Sequence, residues 1–527
     1  MSDARLVPVA ILAAGVSAPA LRLGAGDVAA AWGGGGSKGT VALCDSDEDT
    51  LTLAWQAATD ALEAAGISSD QVSGLWWGTT RPPFAEGPSH AFLATAVGID
   101  PAAEGALFAG SPHAGMEALI AAWDAIAAGH ATLALVVASD ALVPGLGTAA
   151  ETTTGSGAAA LLLAPAGDLA PARLVSRATR SAPAVDRYRA DGDRATGDLY
   201  DGRLFREEVY LPLLAEAARA AAGSSPADAW AISDPDGRLA STLAKRLGAP
   251  LASAPVHLAI GDSAAAAPLL GLVQACSGGQ VPAVGTLGVI GYGGGRASAV
   301  TMQVTGPLPG ASRIESRLSG GQSVPYTRAL RARGQLDPMA DPIPMGLPPA
   351  GGAFARGNVE MLRLEGSRCS DCGTISTPPS VHPACTGCGG SRLETVRLSR
   401  TGTVVTFVVN QTMPPPFAAP LPLVVVDLED GARLMVQGTP ADAPLLAVDD
   451  TITLSLRRYA LERGIPVYGY KASRVAPGGA GPGEAGAGEA GAGEAGAGEA
   501  GSLAGSVTSG GSRVSARPAS TGEEVRA

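Results

Sequence analysis

Two cysteine pairs constrain this chain more tightly than any other feature in it. Cys369-x2-Cys372 and Cys385-x2-Cys388 stand twelve residues apart, and each pair runs straight into a glycine, Gly373 or Gly389. Such knuckles let four thiolates converge on one ion. Four sulfurs in a tetrahedral array suit Zn²⁺ in a closed, structural site. The loop between the pairs is slightly shorter than the usual ribbon spacing. Two disulfides and a four-thiolate iron centre are the alternatives. His382 lies inside the loop and reads as a loop residue, since a fifth ligand is not needed. Cys44 and Cys276 stand alone and read as small core residues.

At 527 residues the chain is too long for one ordinary core, and ~150 residues per domain predicts three or four units. The first 165 residues alternate strand and helix patterns. "TLTLAWQAATDALEAAG" (50–66) has helical spacing and ends in Gly66, and "GLWWGTT" (74–80) reads as a strand end. Met116, Leu119, Ile120, Trp123 and Ile126 fall on one wide apolar helix face. "LALVVASD" (133–140) and "GAAALLLA" (157–164) are continuous apolar runs, as expected of strands buried on both faces.

Residues 170–305 repeat the pattern: helix (207–222), strand "WAISD" (230–234), helix (237–248), helix from 263, strand "AVGTLGVIGYG" (283–293). An internally duplicated α/β fold is the expectation. Residues 306–355 are rich in Pro, Gly and Arg, and read as a linker or wrapping segment. Residues 399–471 change to short β-rich runs with turns between them, a small all-β barrel pattern. After Ala476 a "GEAGA" repeat follows that cannot bury a core, so a disordered tail is expected.

The net charge of −12 argues against nucleic acid, because neutralising a phosphate backbone needs clustered Lys and Arg. Residues 6–21 are apolar, but Asp3 precedes them and Pro8 interrupts them, so they read as a first buried strand and turn rather than a signal peptide. No charge occurs between Asp262 and Arg296, yet "SGGQVP" in the middle would leave backbone polar groups unsatisfied in lipid. Two buried elements joined by a turn fit better. No membrane association and a cytoplasmic location are expected.

"SRCSDCGTISTPPSVHPACTGC", with "RTGTVVTFVVNQ" and "PLVVVDLEDGARLMVQG" after it, resembles the acyl-CoA-associated OB-fold family with a rubredoxin-like zinc ribbon at its front. The resemblance covers about residues 355–473 and implies a partnership with thiolase-type enzymes. "DEDTLTLAWQAATDAL", "GMEALIAAWDAIAAGHATLALVVASD", "GSGAAALLLA", "DPDGRLASTLAKRLG" and "GDSAAAAPLLGL" resemble the thiolase superfamily, nearest to hydroxymethylglutaryl-CoA synthases of archaeal and bacterial type. That resemblance implies a five-layer αβαβα fold, a CoA thioester as substrate or ligand, and a homodimer or a thiolase partner. The organisation it implies is 1–165 and 166–305 as two halves, 306–355 as linker, 356–398 as ribbon, 399–473 as OB-fold, and 474–527 as tail.

In that family a Cys at the start of a buried helix takes the acyl group, a His polarises the second substrate, and an Asn or His completes the oxyanion site. By flanking sequence, these positions fall here on Pro112, Ser233 and Asp262. Pro has no nucleophile, and Asp262 brings negative charge where an oxyanion needs the opposite. With a shift of one residue, Ser111 takes the place of the Cys, but its hydroxyl is a poor nucleophile without a positioned base. His113 offers an acid or base, although Ser111 as N-cap and Pro112 in a first turn are structural choices too. His257 and Tyr292, the latter beside the glycines of 291–295, are further candidates for the same cavity. "GGGGSKG" (33–39) lacks phosphate-loop spacing and reads as a turn. Three readings stay open: a rebuilt non-covalent enzyme of retro-aldol lyase type, a non-catalytic CoA-binding or scaffold subunit, and a condensing enzyme using Ser111.

Overall fold

The structure, a computed structural model, describes residues 6–34, 38–167, 170–197, 202–234, 238–277, 285–336, 359–413, 419–462 and 465–475. The expected tail beyond residue 475, the centre of "GGGGSKG" and most of the "SGGQVP" turn lie outside the described residues. The described residues belong to one compact unit.

The first half contains β1 (Val9–Ser17), β2 (Leu21–Gly24), α1 (Ala25–Ala31), β3 (Thr40–Leu43), α2 (Thr50–Ala65), β4 (Gly74–Thr79), α3 (Ser89–Val97), β5 (Glu104–Ala109), α4 (Ala114–Ala127), β6 (Ala134–Ala141) and β7 (Ser156–Pro165). The second contains β8 (Ala172–Ser181), α5 (Gly202–Phe205), a π turn (Arg206–Tyr210), α6 (Leu211–Ala222), β9 (Ala229–Ile232), α7 (Leu239–Leu247), α8 (His257–Ile260), α9 (Ala267–Ala275), β10 (Gly285–Gly293) and β11 (Arg296–Val304). All of these strands except β2 and β3 share one sheet in the order β5-β4-β6-β7-β1-β8-β11-β10-β9. In the sheet the halves meet at β1 and β8, through the pairs Ala10↔Arg173 and Ile11↔Ala172.

The duplication expected from the sequence is visible in the strand order. Read outward from the seam, β1-β7-β6-β4 and β8-β11-β10-β9 follow the same chain order with the same directions: two antiparallel pairings, then a parallel one. β5 extends the first half alone among the described residues. Helices α4 and α9 share one buried cluster with strands of both halves and form the middle layer. Helices α2 and α3 cover the outer face of the first half, and α6 and α7 that of the second. The result is the five-layer αβαβα arrangement.

Close approach in the middle layer requires glycine. A Cβ on Gly78 would fall 2.4 Å from Ala114 O, and one on Gly115 would fall 2.1 Å from Ala265 O. The start of α4 is therefore pressed between β4 and the turn leading into α9.

Helix α2 is capped by Asp49, which accepts N–H groups from Leu51 and Thr52 while the Thr52 hydroxyl returns to Asp49 N. Gly66 ends it in a left-handed turn at φ 64°. Its buried residues go nearly all round the helix, which means a second layer must cover its outer side. The β-barrel supplies that layer: β16 (Thr401–Asn410), β17 (Leu421–Leu428), β18 (Arg433–Gln437), β19 (Thr451–Glu462) and β20 (Ile465–Arg474), ordered β18-β17-β16-β19-β20. A bridge between Gly438 and Ala472 nearly closes it. Trp55 of α2 meets Tyr470 of β20 edge to face, with ring centroids 5.6 Å apart.

Between these parts, β12 (Gln322–Ser323) pairs with β2, flanked by α10 (Ile314–Ser319) and α11 (Tyr326–Ala332). Arg22 bonds the carbonyls of Arg317 and Leu318 there. The cysteine ribbon is a three-stranded sheet, β14 (Ile375–Ser376), β13 (Glu365–Cys369) and β15 (Leu393–Arg397) in that order. Among the described residues, no helix is long and apolar enough to cross a membrane.

Candidate functional site

Strand β5 ends at Ala109 and α4 begins at Ala114, so Gly110–His113 form the turn between them. Ser111 Oγ accepts the N–H of His113 at 3.1 Å, which makes it a turn-stabilising hydroxyl. The N-cap by backbone is His113, not Ser111. The glycines after Tyr292 fit this turn closely. A Cβ on Gly293 would lie 2.7 Å from Pro112 Cβ, and one on Gly294 would lie 2.8 Å from Ser111 Oγ. Residues 111–113 and 293–294, far apart along the chain, are thus in contact.

His113 turns away from that surface. Its side chain is 1% exposed, with Nε2 2.8 Å from Ser298 Oγ and Nδ1 3.4 Å from Glu117 Oε1. Ser298 also meets Thr179 Oγ1 at 2.7 Å, and Arg296 pairs with Glu117. The His113 contact, with Arg296 beside it, holds the Glu117 carboxyl below the ordinary carboxylate range. Ser298, His113 and Glu117 have the order of a nucleophile, a base and an orienting carboxylate. Ser298 is fully buried, however, so no substrate reaches its hydroxyl. The arrangement ties α4 to β11. Nothing in the sequence pointed to Ser298, which lies 185 residues from its partner.

Ser233 and Asp262, expected as site positions, do come together. With Asp234 and His257 they line a cavity of about 20 Å³, room for a water-sized group and not for an acyl chain. Ser233 Oγ donates to Ile290 O at 3.3 Å. Asp234 caps α7 by accepting from Ala240 N at 2.9 Å. Asp262 accepts Ala264 N at 3.0 Å and pairs with Arg187 Nη2 at 2.5 Å. The negative charge expected from Asp262 is therefore matched by a cation, from a stretch in which sequence reading found no motif.

Arg187 connects this cavity to a second one. Pro112 and Gly110 line a cavity of about 100 Å³ with Thr80, Arg81, Leu142, Arg187, Tyr188, Arg189 and Thr196. Burial, with Arg189 beside it, lowers Arg81 to about 10. Behind Thr80 sits Asp140, which accepts from Thr80 Oγ1 at 2.7 Å and Ala265 N at 3.0 Å. Its complete burial pushes the carboxyl up to about 6. Tyr292 lies against Tyr210 with ring centroids 4.1 Å apart and the rings tilted by 55°, and Tyr210 donates to Asp186. Burial, then Asp262 and Tyr210, hold the Tyr292 phenol well above its ordinary value, so it stays protonated.

The four cysteine sulfurs lie within 4.8 Å of one another. Cys369 and Cys388 are 3.7 Å apart and Cys372 and Cys385 3.5 Å apart, far too long for disulfides. Sulfurs at about 2.3 Å from a tetrahedral zinc would stand about 3.8 Å from each other, so the cluster could hold such an ion. Gly373 and Gly389 adopt φ of 76° and 75°, which a side chain would disfavour, and complete the two knuckles. Backbone N–H groups of Gly387 and Cys388 point at Cys385 Sγ. His382 lies outside the group. Cys276 is buried, and burial lifts its thiol to about 12. Cys44 is half-buried, its thiol raised by burial and by Glu48 and Asp49.

Residues 395–457 match the family described as ChsH2, C-terminal OB-fold domain. The chain is 36% identical over 117 residues to the hydroxymethylglutaryl-CoA synthase of Pyrococcus furiosus, which is 22% of this chain and 33% of that protein. With the Methanococcus maripaludis hydroxymethylglutaryl-CoA synthase the alignment is longer and weaker: 24% over 348 residues, 62% of this chain and 99% of that one. The chain spans 33–45% of the length of the curated relatives it matches at 31–36% identity. A solved hydroxymethylglutaryl-CoA synthase complexed with CoA superposes with TM-score 0.53 at 18% identity, covering 63% of this chain and 92% of that one.

Proposed function

We propose that this chain, a thiolase-superfamily, hydroxymethylglutaryl-CoA synthase-like region joined to an OB-fold, binds an acyl-CoA thioester and works on it without a covalent acyl-enzyme. One observation carries the reading. The turn that opens α4 presents Pro112 to a cavity whose described lining contains no Cys and no His. A thiolate nucleophile would profit there from the helix N-terminus, and Pro112 offers neither a thiol nor an N–H. Ser111 is engaged in its own turn, and His113 is enclosed against Ser298 and Glu117.

The CoA-bound relative supports the ligand class. The four-cysteine cluster is read as a structural Zn²⁺ site held by Cys369, Cys372, Cys385 and Cys388, an ion that would brace the ribbon and take no part in chemistry. Edge strand β5 is exposed at Glu104, Gly105 and Ala109, which supports pairing with a second copy.

A retro-aldol reading has one observation in its favour, the place of Tyr292 beside the glycines that pack on Pro112. In that reaction a base takes the β-hydroxyl proton, the Cα–Cβ bond breaks to leave a carbonyl, and an acid returns a proton to the thioester enolate. Intact-mass analysis after incubation with acetyl-CoA, together with calorimetric titration of CoA, tests the main reading. Binding without a mass shift is expected; a stable acyl adduct would overturn it. Cleavage of a β-hydroxyacyl-CoA that Tyr292→Phe abolishes would extend the reading to a lyase.

A further inference from the structure

We infer that the barrel and the cavity at Pro112 are coupled: the hold of β19 and β20 on the loop before α2 sets the affinity for the acyl group, and an acyl group in the cavity tightens that hold. The inference rests on the acyl-CoA reading above.

The coupling starts at one carboxylate with two duties. Asp49 Oδ1 caps α2 by accepting from Leu51 N at 3.1 Å and Thr52 N at 3.0 Å. Its Oδ2 accepts the hydroxyl of Tyr468, a buried residue of β20, at 2.7 Å. β19 holds the same loop with backbone and side chain. Arg458 N donates to Asp47 O at 2.8 Å, and Arg458 Nη2 donates to Ser46 O at 2.9 Å. The first turn of α2 is therefore tied to the barrel through its own cap.

The next residue carries that tie to the cavity. Thr50 is buried and donates its hydroxyl to the carbonyl of Arg81 at 2.7 Å. Thr80 and Arg81 line the cavity together with Pro112 and Thr196. Arg81 Nη2 in turn bonds Thr196 Oγ1 at 2.9 Å and Arg194 O at 2.7 Å. Every link from Tyr468 to Thr196 is thus a hydrogen bond or a peptide neighbour. The first turn of a helix moves as a unit, so a displaced cap displaces Thr50 with it. A shift on the order of 1 Å in the wall of a cavity of about 100 Å³ changes how an acyl chain fits. Such a coupling is reciprocal, since one free energy links the two events.

Calorimetric titration of the full-length protein with butyryl-CoA and with CoA tests the coupling. Tyr468→Phe and Thr50→Val are each expected to weaken butyryl-CoA by at least about fivefold, and CoA by less than about twofold. The double variant should bind butyryl-CoA no worse than the weaker single, because both substitutions cut one chain of contacts. Thr50→Ser keeps the hydroxyl and should keep wild-type affinity. Hydrogen exchange on the wild type reads the reverse direction without any substitution, and so stands should a variant fold poorly. There butyryl-CoA, and not CoA, should slow exchange of the Arg458 amide. Unchanged butyryl-CoA affinity in the single variants, losses that multiply in the double, equal losses for CoA, or equal protection by both ligands would each overturn the coupling and leave the acyl-CoA reading standing. Failure of the wild type to bind either ligand would overturn both.

Discussion

Asp140 shows what one buried side chain does at this site. It is fully buried at the end of β6 and accepts hydrogen bonds that favour its ionised form, yet desolvation outweighs them and raises its pKa to about 6. The fold therefore prefers the protonated acid. Below pH ~4 both folded and unfolded states carry the proton, and no penalty exists. As pH rises from ~4 to ~6 the unfolded chain releases it first, so this group costs stability, by about 3 kcal/mol above pH 6. Asp140→Asn removes that dependence. The stability difference between wild type and Asp140→Asn, from urea unfolding at pH 4 to 7, should move against wild type across this window. Parallel curves would show that Asp140 titrates as an ordinary carboxylate. His113 teaches a related lesson: a histidine one residue from an expected catalytic position is spent on joining α4 to β11.

At the scale of elements, the ribbon was the most legible part, because ligand identity and spacing are local. Its two knuckles need only four cysteines and two glycines in left-handed turns. Cys385→Ser is expected to drop zinc from about one ion per chain to near none by elemental analysis. Full retention of zinc would rule out the four-ligand site. Helix α2 was legible as a helix, from its spacing and Gly66. What covers its outer side was not, since an apolar helix face does not name its partner. The barrel does, and it adds charge pairs at the loop before α2. Lys471 of β20 lies 3.2 Å from Asp47 and Arg457 of β19 lies 3.4 Å from Glu48, all but Arg457 nearly excluded from water. Lys471→Met would leave Asp47 buried without its cation, at a cost of about 3–5 kcal/mol. A fall in thermal midpoint of several degrees should report it, and an unchanged midpoint would mean that the pair is dispensable.

For the whole molecule, the repeated apolar strands and helices were enough to anticipate a duplicated α/β fold, the cysteine spacing a ribbon, and the short β-rich runs a small barrel. Burial patterns are set by local composition, and strands buried on both faces announce themselves as unbroken apolar runs. Flanking sequence alone named Pro112, Ser233 and Asp262 as a candidate site. Their relations were not legible in it. Tertiary structure decided that His113 faces inward, that Asp262 is paired with Arg187, and that Arg81, Arg187 and Arg189 line one cavity with Pro112. The physical reason is distance along the chain. Arg81 and Arg189 are 108 residues apart, and only the packing of the segment after β8 against the end of β4 brings them to one cavity. A sequence states which charges exist, and the fold determines which of them share a dielectric.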